Sequence, residues 1–198
     1  MGPVTRVEVG VTFLRMEQPP KVPGPSLRPG YQIIRAQTPS VPFYRYLYNT
    51  VGEDYLWWLR RTVPDCKLAE LLRDKAVSIY TLYTGGEPVG FFELDSRSQP
   101  NVNLSYFGLM PNAIGQGIGY AFLCAAIDEA WRHGAEGLTV NTCTADHPRA
   151  LPNYLRAGFT VVRRVKEIWA VPNSLNMAIP LGLKPGRFSS GPGSPYLR

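Results

Sequence analysis

The stretch MPNAIGQGIGYAFL, residues 110–123, sets Gly115, Gly117 and Gly119 at alternate positions between a polar turn and a run of helical character. Glycine there gives up conformational entropy and side-chain contact, so a cluster implies either φ above zero or a group lying close against the main chain. The usual occupant of such a place is a phosphate, because the first amides of a helix have no partner of their own and carry the positive end of its dipole. A flexible loop is the alternative. Two other places hold residue types that move protons. Glu93 in FFELD alternates with Phe92 and Leu94, so its carboxylate points either into a cleft or toward solvent. Asp146-His147-Pro148 offers an acid beside an imidazole, and is equally an ordinary helix start with Pro148 at the first position.

Composition narrows the setting for these residues. A chain of 198 residues can bury one sizeable core and suits one domain, and 44% hydrophobic with 12% aromatic residues is a globular composition. The net charge is +6, yet Lys and Arg are scattered with no basic run, which fits a small polyanionic ligand better than nucleic acid. Cys66, Cys124 and Cys143 make an odd number without CxxC spacing or a Cys/His cluster, which argues against a disulfide framework or a metal site and for a reducing cytoplasm. No 18 apolar residues run together and the N-terminus alternates, so neither a membrane span nor a signal peptide is expected.

The elements that must position the glycines follow from periodicity. Residues 4–16 alternate as a strand, and 17–30 form a proline-rich connector that can be neither helix nor central strand. A strand near 31–37 precedes helical segments around 41–62 and 66–75. Three strand-like runs, VSIYTLYT, PVGFFELDS and NVNLSYFGLM, are joined by the turns TGGEP and SRSQPN into an antiparallel meander. Beyond the glycines, Leu123, Ala126, Ile127, Ala130 and Trp131 keep helical spacing up to the terminator Gly134. GLTVNTC then reads as a short buried strand. Strand, glycine turn, helix and strand make a crossover unit, which predicts that the strands at 104–110 and 137–143 are parallel neighbours. The expectation is a mixed α/β fold, mostly antiparallel, with helices on both faces. Residues 1–30 are read as a strand and connector, 31–171 as the domain, and 172–198 as an extended or partner-dependent tail rich in Pro, Gly and Ser.

The turn satisfies no common nucleotide motif. Counting from Gly115, the sixth position of a dinucleotide fingerprint falls on Tyr120, and no Gly-Lys-Ser/Thr follows for a P-loop. A pyrophosphate on several inward-facing amides remains. IGQGIG (114–119) resembles the Q/R-x-x-G-x-G/A signature of the GNAT superfamily of acyl-CoA-dependent N-acyltransferases, with Ile114 in place of the usual Arg or Gln. A second block, HPRALPNYLRAGF (147–159), fits that family's N-x-x-A-x-x-x-Y-x-x-x-G-F with Ala150, Tyr154, Gly158 and Phe159 in register and His147 in place of Asn. The resemblance covers about residues 31–170.

The resemblance implies transfer of an acetyl group from acetyl-CoA to a primary amine by direct attack. It places the pyrophosphate on Gly115, Gln116, Gly117, Ile118, Gly119 and Tyr120. It also implies that the strand before the turn splays from its parallel neighbour, leaving amides at Phe107, Gly108 and Leu109 for the thioester and pantetheine. Tyr154 would sit beside the sulfur as general acid, since a tyrosine is protonated at neutral pH and can supply the departing thiolate. Pro152 sets the start of its helix near Leu151. Glu93 is the leading carboxylate to draw a proton from the amine through water, and His147 and Asp146 flank the acyl site. Cys143 lies near the thioester or is a buried unreactive thiol.

Acceptor recognition is expected between the first two strands of the domain. There Tyr44, Tyr46, Tyr48, Tyr55, Trp57 and Trp58 stand with Glu53 and Asp54, either as an apolar pocket with a negative rim for a cationic amine or as aromatic helices packed on the sheet. The rival reading is a CoA-binding or regulatory protein without turnover, against which Tyr154 counts. For a nucleic-acid binder, Arg163, Arg164 and Lys166 are the nearest to a basic stripe. The family's frequent dimerisation makes a homodimer an expectation as well.

Overall fold

Alternating apolar residues in VTRVEVGVTFLRM produce the 13-residue strand β1 (Val4–Met16), which buries Val7, Val9 and Val11 on one face in its first half and Leu14 and Met16 on the other in its second. The computed structural model describes residues 2–180 and 182–185. After the irregular connector come β2 (Tyr31–Ala36) and α1 (Val41–Val51), the short α2 (Leu59–Thr62) and α3 (Asp65–Arg73). The Ser40 side chain caps α1 by accepting from the Phe43 amide at 3.3 Å, and Tyr44, Leu47, Tyr48 and Val51 recur at helical spacing as its buried face. The meander is β3 (Val77–Thr84), β4 (Glu87–Asp95) and β5 (Asn101–Leu109). α4 (Gly119–Arg132), β6 (Gly137–Cys143), α5 (Ala150–Arg156), β7 (Thr160–Pro172) and β8 (Lys184–Pro185) complete the order.

These strands form one mixed sheet in the order β2-β3-β4-β5-β6-β1-β7, with β8 beside β1 at Val7 and Glu8. Every neighbouring pair is antiparallel except β5 and β6. One face carries the core under α4 and α5, built on Phe92, Leu104, Phe122, Ile127 and Val140. The opposite face carries α1 and α3 over Ile79 and Phe91, and continues onto β1 as a third cluster containing Leu56, Ala145 and Val171.

Three placements differ from the sequence reading. First, β1 is set apart there with the connector, yet it runs inside the sheet between β6 and β7, because both of its faces find apolar partners. Second, β7 is not anticipated as a strand: its charged alternation in VVRRVKE marks an exposed edge, and Arg163, Arg164 and Lys166 lie on it. Third, the tail read from 172 folds back as far as it is described, with Met177, Ile179 and Leu183 packed on the third cluster; its remainder, 186–198, lies outside the described residues.

The parallel pairing of β5 with β6 is shorter than the sequence reading sets it. It joins only Asn101, Val102 and Asn103 to Gly137, Leu138 and Thr139, and from Leu104 onward the two strands part. A bulge between Glu93 and Leu94 in the β4–β5 pairing adds twist just where β5 leaves its neighbour. Below the fork two side chains fold over Gly137: a Cβ there would lie 2.6 Å from Asn101 Oδ1 and 3.0 Å from Arg15 Nη2. Gly137→Ala therefore has to move these two side-chain tips aside while the backbone pairing stays, and should lower stability by about 1 kcal/mol, read as a lower midpoint in urea unfolding.

Candidate functional site

Two of the three glycines in the turn have a conformational reason to be there. Gly115 has φ +84° and Gly117 φ +78°, the left-handed region, which turns successive amides the same way before α4 begins. Among the described residues none accepts from the amides of Gly115, Gln116, Gly117, Ile118 or Gly119. Gly119 has an ordinary φ, and a Cβ there would meet Leu109 at 3.6 Å, a normal contact. The Gln116 side chain is committed to the turn itself: its Oε1 accepts from the Tyr31 hydroxyl at 3.1 Å and its Nε2 donates to the Asn112 carbonyl at 2.8 Å.

Two guanidinium groups border this run of donors. The connector crosses α4 with Gly24 pressed on Cys124 and Leu27 packed on the core, and it delivers Arg28 to the turn, one terminal nitrogen 3.3 Å from where a Gly117 Cβ would stand. From α5, Arg156 lies over the Tyr120 ring at 3.8 Å. Neither arginine forms an ion pair among the described residues. The sequence reading misses both, since a lone arginine in a proline-rich connector gives no signal of what it will touch.

Beyond the fork, Phe107, Gly108 and Leu109 have no strand on their β6 side. Phe107 packs on Phe122 at 5.1 Å toward α4. On the other face Gly108 lies against Val51 and the Trp57 ring, whose Cη2 is 3.8 Å from the Gly108 Cβ position. The Trp57 ring also meets Tyr106 of β5 at 5.1 Å. Asp146 Oδ2 accepts from Thr142 Oγ1 at 2.8 Å and from the Cys143 amide at 2.9 Å. Burial raises its pKa above the usual carboxylate value.

Tyr154 stands on α5, which starts at Ala150, one residue before the expected start, with Pro152 tolerated in its first turn. Its ring meets Phe159 at 5.7 Å and it is 6% exposed. Burial, and after it the Asp146 charge, hold its phenol well above the ordinary tyrosine pKa, so the hydroxyl keeps its proton throughout the neutral range. The same two causes raise the Cys143 thiol, which agrees with an unreactive buried cysteine. His147 Nδ1 accepts from the Arg149 amide at 3.1 Å, ordering the entry to α5, and its ring faces Tyr55 at 6.3 Å.

Glu93 faces neither an open cleft nor solvent. It is 0% exposed, and both oxygens are taken: Oε2 by the Tyr44 hydroxyl at 2.5 Å, Oε1 by Arg60 at 2.9 Å. Burial lowers the Arg60 pKa and the Glu93 charge outweighs it, leaving Arg60 raised. This carboxylate is a structural counter-ion, and alternation alone could not reveal the arginine, which arrives from a different helix. Of the aromatic residues expected around the acceptor, Tyr44 and Tyr48 are core, Tyr46 is exposed, Tyr55 faces His147, and Trp57 lies by Gly108.

A model of the acetyltransferase (GNAT) family matches residues 32–159. The chain belongs to the GNAT acetyltransferase family. No curated protein sequence matches it. Among solved structures it is similar to a GCN5-related N-acetyltransferase from Kribbella flavida (16% identity, TM-score 0.59, covering 88% of this chain and 63% of that one). It is also similar to a tandem GNAT protein from the clavulanic acid biosynthesis pathway (15%, TM-score 0.58, 84% and 55%). A third similar structure is an aminoglycoside acetyltransferase from an uncultured soil metagenomic sample (19%, TM-score 0.52, 65% and 88%). The chain thus spans 63% and 55% of the lengths of the first two. At these identities the likeness establishes the fold.

The Glu93 geometry has a measurable consequence. Glu93→Gln leaves Arg60 buried without its counter-charge and should destabilise the protein by about 3 kcal/mol in chemical denaturation. Acetyl-CoA affinity of the folded fraction, measured by isothermal titration, should be unchanged.

Proposed function

We propose that the chain transfers an acetyl group from acetyl-CoA to a primary amine by direct attack. The observation that carries this reading is the run of unpartnered amides from Gly115 to Gly119, with Arg28 and Arg156 beside it. Such a cradle suits a pyrophosphate, whose charge favours both oriented backbone donors and guanidinium groups. The unpaired edge at Phe107–Leu109 would receive the thioester, whose carbonyl oxygen gains charge as the amine adds. When the carbon–sulfur bond breaks, the thiolate takes the Tyr154 proton. A CoA-binding protein without turnover has no use for a protonated phenol at that place.

Acetyl-CoA and free CoA should each raise Tm by mass action on the native state, while NAD should not. Because a Cβ at position 119 has room in the fold, Gly119→Val should keep its Tm without ligand and lose most of this stabilisation. Full stabilisation in Gly119→Val would show that the glycine serves only the packing of the chain.

Tyr154→Phe keeps the ring and removes the hydroxyl. Acetyl-CoA binding should change little, while the single-turnover rate with an acceptor found by screening falls about a hundredfold to ten-thousandfold. A rate within about threefold of the parent removes Tyr154 from the chemistry.

A further inference from the structure

Two arginines flank the turn before α4, and they reach it by different routes. Arg28 comes from the connector, which the sequence reading leaves outside the domain, and three contacts fix its course. Gly24 is pressed on Cys124, where a Cβ would lie 2.4 Å from the sulfur. Leu27 packs on the core under α4. Tyr31, whose amide donates to the Arg28 carbonyl at 3.3 Å, ties its hydroxyl to Gln116 of the turn. One terminal nitrogen of Arg28 is thereby brought to Gly117, the middle of the run of unpartnered amides.

Arg156 is placed otherwise. It stands in the last turn of α5, and its guanidinium lies 3.8 Å from the centre of the Tyr120 ring, one residue past the amide run. The Tyr120 hydroxyl donates to the Arg156 carbonyl at 3.4 Å. A guanidinium stacked on a ring keeps its in-plane N–H donors free at the edge, which suits paired hydrogen bonds to a phosphate. Neither arginine has an acid partner among the described residues.

Charge then separates their roles. A pyrophosphate diester carries two negative charges, which the amides, the positive end of α4 and Arg28 meet. Arg156 stands beyond that group, so its partner is a further phosphate on the same ligand. A phosphomonoester approaches a double negative charge at neutral pH and offers three acceptor oxygens, and on a CoA ester that group is the 3′-phosphate of the ribose. We propose that Arg156 reads the 3′-phosphate of the acyl donor while Arg28 holds the pyrophosphate. The inference rests on the acetyl-transfer reading and adds to it a donor class, thioesters of CoA bearing the 3′-phosphate, and the residue that selects it.

The test is isothermal titration of the full chain with CoA and with dephospho-CoA, which lacks only the 3′-phosphate. The parent should bind CoA about tenfold or more tightly than dephospho-CoA. Arg156→Gln should lose that preference, with CoA weakened about tenfold or more and dephospho-CoA unchanged. Arg156→Lys, which keeps the charge without the planar fork, should recover only part of it. Arg28→Gln should weaken both ligands by the same factor and keep the preference. Both side chains are exposed, so each variant should keep the parent Tm without ligand. Equal binding of the two ligands by the parent, a preference that survives Arg156→Gln, or a preference lost in Arg28→Gln instead would each overturn the proposal. CoA that fails to bind the parent at all would strike the acetyl-transfer reading itself, whereas CoA that binds without preference strikes only the role of Arg156.

Discussion

The parting of β5 from β6 after three paired residues is the constraint on which the rest of the site depends. A sheet interior normally satisfies its own donors and acceptors, and a fork leaves a stretch of both unpaired in the middle of the protein. The fork is held by features at its two ends. At the apex Gly137 leaves room for the Asn101 and Arg15 side chains, and Thr139 Oγ1 donates to Asn103 Oδ1 at 3.2 Å. Above it, the bulge in the β4–β5 pairing adds twist to β5 as it leaves β6. The turn and α4 begin at the open end of β5, so a donor-rich helix start and an unpaired strand edge share one opening.

Burial treats the acids of this chain in two ways. Glu93 lies under α1, where water is excluded on all sides, and only a close cation makes such a charge tolerable. Asp146 lies where β6 gives way to the entry of α5, held by short-range hydrogen bonds from its own turn. Those bonds favour the charged form while burial opposes it, and burial wins. The first arrangement sets a cation on the carboxylate; the second sets only hydrogen-bond donors of its own turn on it.

How much of this was legible follows from what each signal measures. Period-2 and period-3.6 patterns depend on a single element, and so β1, the meander and α4 are readable with bounds close to those found. The glycine turn and the Tyr154 block are readable because their chemistry is local to a few residues. Position across the chain is different. That β1 enters the sheet beside β6, that Arg28 arrives at Gly117, and that Arg60 meets Glu93 are pairings between distant segments, fixed by packing that no local pattern encodes. Tyr55 and Trp57 show the same limit: their types suggest a site, but Tyr44 and Tyr48 carry the same signal and are core.

The distribution of charge then orders the opening from end to end. At the start of α4 the backbone offers donors, and Arg28 and Arg156 add two positive charges that no described acid neutralises. After the end of β6 the Asp146 carboxylate accepts from the Thr142 hydroxyl and the Cys143 amide. Tyr154 is kept neutral by burial and by that carboxylate's field. The field therefore favours an anion at the start of α4 and disfavours one beside Asp146. A group that gives up a proton to a departing anion is useful only while it still holds one, and burial keeps the Tyr154 phenol in that form.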